Sequence, residues 1–148
     1  MPNIWKGPVG EGPSHPEAVE GVCVDASTLP GMVIQREAAG AGLEINDTAA
    51  TTLGQEFLVA NKNYLQQKTV TEAWTQNENM VGFAPRSGER FDCIVAAGND
   101  LSTRLGIPLT RNGAGLLRIA APATEQVLCH SDALVNAVAN TLVQCVKR

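Results

Sequence analysis

The chain has 148 residues, of which 44% are hydrophobic, 18% charged and 4% aromatic, with a formal net charge of −4. That describes one ordinary soluble domain, able to bury about 68–70% of its unfolded surface without metals or disulfides. The acidic balance argues against nucleic acid as a partner, and no apolar run nears the ~18–20 residues that would cross a membrane.

Residues 1–22 alternate prolines (Pro2, Pro8, Pro13, Pro16) with glycines (Gly7, Gly10, Gly12, Gly21). Proline blocks helix and central strand, and glycine keeps the chain permissive. The reading is an extended N-terminal arm, with residues 23–148 as a single β-rich body. Ile4 and Trp5, followed by Pro8, are the candidate anchors to a neighbouring subunit. A signal peptide's charged start and apolar run are missing, which points to synthesis in a reducing cytoplasm.

Beyond the arm, Leu29-Pro30-Gly31 turns the chain into a strand at Met32–Arg36, and Ala39–Ala41 turns it into Leu43–Ile45. Strands follow at Glu56–Ala60, Thr69–Trp74 and Met80–Phe83. Pro85–Gly88 leads into a strand at Arg90–Ala97, and Gly98–Asp100 into an extended piece, Leu101–Leu109. Arg111–Gly115, containing Asn112-Gly113-Ala114-Gly115, reads as a hairpin turn before Leu116–Ile119. Further strands fall at Glu125–Cys129 and Thr141–Lys147. Ser131–Asn140 fits two readings, a short capped helix or an alternating strand. Short strands between glycine turns, with almost no helical periodicity, indicate an all-β fold, a β-sandwich or β-barrel of jelly-roll or β-tulip type. Several strands are apolar on both faces, so loops, the arm or another protein copy should cover the outer surface.

Chemistry is thinly represented. Cys23, Cys93, Cys129 and Cys145 share no C-x-x-C spacing, which leaves them as small buried hydrophobes rather than a zinc or redox site. His15 sits in the arm. Cys129 and His130 are adjacent, so on a strand they point to opposite faces and do not form a nucleophile–base pair. Glu89 with Asp92, and Glu11 with Glu17, read as solvated charges. No phosphate loop, dinucleotide fingerprint or metalloprotease motif occurs. No catalytic residue, cofactor or metal ligand is expected, and the chain is read as not an enzyme.

Several segments in order resemble the tailed-bacteriophage capsid cement, or head decoration, proteins. They are Leu29-Pro30-Gly31-Met32-Val33, Gln55–Ala60, Asn63–Val70, Pro85–Glu89, Ala96–Ser102, Gly106-Ile107-Pro108-Leu109 and Asn112–Arg118. The resemblance covers roughly residues 29–148; the pair Arg104-Leu105 before Gly106 departs from it. It implies a non-enzymatic virion protein on the outer capsid surface, assembled in the host cytoplasm. Its partners would be the major capsid protein and further copies of itself, as dimer or trimer, with neither nucleic acid nor membrane. A β-barrel binding module (a head fibre or receptor- or glycan-binding part) and a small trimeric hydrolase are the alternatives.

Overall fold

The computed structural model describes residues 4–8, 17–64 and 66–148. Those residues are all β, with no helix among them, and make strands β1 (Trp5–Pro8), β2 (Glu17–Cys23), β3 (Val33–Arg36), β4 (Gly42–Ile45), β5 (Leu58–Ala60), β6 (Asn79–Ala84), β7 (Glu89–Val95), β8 (Asn99–Asp100), β9 (Pro108–Arg111), β10 (Leu117–Ile119), β11 (Cys129–Ser131), β12 (Asn136–Ala137) and β13 (Thr141–Val146).

Strands β2-β4-β3-β5-β6 close into a barrel. The β2–β4 pair is parallel and the other pairs are antiparallel. The remaining large sheet closes in the same way. β7 is parallel to β10; β10–β9, β9–β11, β11–β13 and β13–β7 are antiparallel. The chain is therefore two tandem barrels with one topology, and β2, β3, β4, β5 and β6 correspond to β7, β9, β10, β11 and β13.

Single hydrogen bonds repeat as well. Gly31 N–H donates to Ala60 and Ala60 N–H to Met32, at 2.8 and 2.9 Å; Gly106 donates to Ser131 and Ser131 to Ile107, at 2.8 and 2.9 Å. Glu37 to Gly42 matches Asn112 to Leu116, both 2.9 Å. The sequence carries faint echoes of this. Gly31-Met32-Val33-Ile34-Gln35-Arg36 parallels Gly106-Ile107-Pro108-Leu109-Thr110-Arg111, and Gly-Ala-Gly-Leu occurs at 40–43 and again at 113–116.

The barrels pack side against side. On β3, Ile34 points into the first barrel while Val33 points out at the second; on β5, Leu58 and Ala60 point in and Val59 out. Phe57, Phe83 and Phe91 meet edge-to-face across the junction, with centroids 5.7 and 6.0 Å apart. The covering expected for strands apolar on both faces is thus supplied by the second barrel of the same chain.

Other expectations change. Of residues 1–22, read as an arm, the described ones are strands of the body. β1 pairs with β7, and Ile4 is fully buried in the core shared by the barrels. The arm–body boundary at 22/23 falls inside β2. An isoleucine buries too much apolar area to stay in water when an open strand edge is at hand. Thr69–Trp74 forms turns instead of a strand. Glu72 accepts the Thr69 N–H at 2.6 Å, Glu78 accepts that of Thr75 at 3.0 Å, and the buried Trp74 indole donates to Asn61 O at 2.8 Å. Such local acceptors outcompete β propensity. Residues 131–140 contain no helix: Asn136–Ala137 form β12, paired to β8, and the residues on either side of it are irregular.

Two predictions follow from this packing. Replacing Ile4 by Ala should cost about 2–5 kcal/mol of unfolding free energy; urea unfolding within ±0.5 kcal/mol of the parent would contradict its place in the core. Gly31 has φ +88°, and a Cβ there would meet Leu142 Cδ1 at 2.7 Å, whereas Gly88, also at φ +88°, has open space. Gly31→Ala should therefore cost about 1–3 kcal/mol more than Gly88→Ala, since overpacking adds to the same backbone strain.

Candidate binding surface

The residues picked out as anchors do not form an exposed patch. Ile4 is a core side chain, Trp5 is half-buried against the same core, and the side chain of Pro8 lies outside the described residues. β1 is held by backbone pairing to Phe91, Arg90 and Glu89, and by an ion pair from Lys6 Nζ to Asp92 Oδ2 at 2.9 Å. Burial pushes the Asp92 carboxyl up while Lys6 pulls it down.

No reactive constellation is assembled among the described residues. All four cysteines are free and buried. Burial raises the Cys93 thiol well above its ordinary value; Cys145 is raised as well, first by its contact with Cys129 and then by burial. A protonated buried thiol is a poor nucleophile. On β11, Cys129 and Ser131 face inward while His130 is half-buried on the other face, as strand alternation requires. The Ser131 hydroxyl is occupied by the Ile107 N–H at 3.0 Å. Asp132 is engaged by Arg90 at 2.8 Å and Gln144 at 2.9 Å. No group of three His, Cys, Asp or Glu among the described residues is placed to hold a metal. His15 and Glu11 lie outside the described residues.

A cleft of about 550 Å³ lies at the barrel junction. Leu29, Pro30 and Met32 come from the first barrel, Ile94, Leu116 and Leu142 from the second, and no aromatic or ionisable side chain lines it. Such a wall can hold apolar matter but can neither move a proton nor stack on a sugar ring. Elsewhere the surface carries exposed apolar residues: Leu53 is 68% exposed, Leu134 60% and Val138 84%. Sequence reasoning passed over Leu53, and it met Leu134 and Val138 only as one face of the possible short helix within Ser131–Asn140.

No protein-family model and no curated protein matches the chain.

His130 gives a pH prediction. Burial, then Arg148 and Lys147, push its pKa below the ordinary value, so the folded state favours neutral imidazole. The stability this contributes is present above the unfolded-state pKa of about 6.5 and is lost as pH falls from there through the lowered folded-state pKa. Melting temperature should therefore drop as pH is lowered below about 6.5, and by less in His130→Gln. Equal drops in both proteins would remove His130 as the cause.

Proposed function

We propose that this chain is a structural virion protein that binds the outer surface of an icosahedral phage head and stabilises the expanded shell by bridging major capsid protein subunits. The observation that carries the reading is the ordered set of motifs over residues 29–118, above all Ala96–Ser102, Gly106–Leu109 and Asn112–Arg118, which resembles the head decoration proteins. The body is compatible with it. Two barrels packed side by side carry loops with single exposed apolar side chains, and the described residues assemble no catalytic site. Copies act as dimers or trimers, bind no nucleic acid and carry out no reaction.

The physical logic is differential binding. A protein that contacts a seam formed only in the expanded shell stabilises that state over its precursor. At roughly 25 cal/mol per Å² of apolar area, a modest contact becomes large when repeated over a lattice.

Sedimentation tests this directly. The purified chain should pellet with expanded empty heads at a fixed saturating stoichiometry and raise their resistance to heat, while unexpanded heads bind several-fold less. Equal binding to both head forms, or none to either, would refute the reading.

A further inference from the structure

The two barrels share a topology but not a covering. On β7 the edge away from β13 is taken by β1: the Asp92 N–H donates to Ile4 O, and Lys6 pairs with Asp92 at 2.9 Å. Register places β2 on β7, since Cys23 opposes Leu43 as Val95 opposes Leu117. Glu20 is then the counterpart of Asp92, and Ala18 of Arg90.

Among the described residues only Val22 and Cys23 of β2 pair with β4, and the stretch before them has β6 on one side alone. Cys23 N–H points to β6, donating to Glu78 O at 2.8 Å. Alternation turns the N–H and C=O groups of Ala18 and Glu20 the other way. Glu17, Ala18 and Glu20 are exposed, and no described residue pairs with the Glu20 carboxylate. An open strand edge is a template for another strand.

We infer that the β2 edge at Ala18–Glu20 takes an extended segment of the shell subunit, antiparallel to β2, with a lysine or arginine set against Glu20 as Lys6 is set against Asp92. That the partner is a shell subunit rests on the function proposed above; the edge and its charge preference do not. A second copy of this chain is a poor occupant. Lending its β1 would open its own β7 edge and expose Ile4, for no net gain in pairing. Residues 9–16 hold no lysine or arginine, and they include Glu11 with two prolines that cannot donate to a ladder.

The test uses the whole chain and a peptide spanning residues 3–9 as the probe strand. In the free protein, the Ala18 and Glu20 amides should exchange with deuterium much faster than those of Val19 and Gly21. Peptide should then cause saturable shifts at Ala18 and Glu20 while Arg90 and Asp92 stay still. Glu20→Lys in the protein, or Lys6→Glu in the peptide, should weaken binding about tenfold. Amides already protected in the free chain, no saturable shift, or shifts confined to β7 would overturn the inference.

Ala18→Pro removes an outward N–H that no described residue uses, so the fold should survive while peptide binding and co-sedimentation with expanded heads fall. If folded Ala18→Pro sediments with heads as the parent does, the edge inference fails and the shell reading stands. If the parent itself does not sediment with heads, the shell reading fails and the peptide titration still decides the edge.

Discussion

The architecture depends on a backbone-to-backbone approach at two glycines. Gly31 O accepts the Ile94 N–H at 2.9 Å, Gly115 O accepts that of Val33 at 2.8 Å, and Gly115 N–H donates to Asn46 O at 2.9 Å. A Cβ on Gly115 would lie 2.6 Å from Ile45 Cγ2 and 2.7 Å from Met32 Cε. Both glycines hold positive φ, so the same residues supply the turn and the clearance. With the backbones locked at that spacing, Val33, Val59 and Phe83 are pressed into Phe91 and Leu109, and the larger core forms between the barrels.

A second seam shows how the repeats have diverged. Arg36 lies on the surface and forks onto Glu56 at 2.9 and 3.2 Å. Its counterpart Arg111 is fully buried and has no carboxylate. It donates to the carbonyls of Ala49 and Thr52 and to Gln126 Oε1, and Nη1 is left without a partner. Desolvating a guanidinium costs several kcal/mol. Three donated hydrogen bonds offset part of that, and burial pulls its pKa down. In exchange, the long connection between β4 and β5 is fastened to the second barrel. Gln126 reinforces this, with its N–H on Ala50 O at 2.9 Å and its amide on Gln55 O at 3.0 Å. The same position therefore serves solubility in one barrel and cohesion between barrels in the other.

Local signals made much of this legible. The 112–115 turn is a hairpin because Asn112 Oδ1 accepts from Ala114 and Leu116 while Gly113 and Gly115 take positive φ, all of which is turn chemistry readable from residue type. The strands at 33–36, 43–45, 80–83, 90–95 and 141–146 carry enough β-branched or alternating residues to be seen. The duplication was not legible, because it resides in pairing and register, and only short glycine-anchored echoes survive in the residues. The fate of Ile4 and Trp5 was hidden for a related reason. Proline and glycine around them describe the local chain, but whether a strand edge waits to receive them depends on β7, more than eighty residues on. The surface has the same character: Leu53, Leu134 and Val138 stand out only once the loops carrying them are placed on the barrels.

The front of the chain also shows why two like barrels behave differently. Covering β7 with β1 buries Ile4 and pairs Lys6, so that edge is both apolar and neutralised. Among the described residues the β2 edge has neither benefit: its outward side chains are Ala18, Glu20 and Val22, and its interior counterpart of Cys93 is Gly21. An uncovered strand normally invites aggregation, and inserted charge is a usual defence against it. Glu20 serves that role against strands bearing no cation, including acidic or neutral stretches of this chain, while Glu17 is paired with Arg86 at 3.5 Å. Glu20 does not serve it against a basic strand, for which it adds attraction to the backbone ladder.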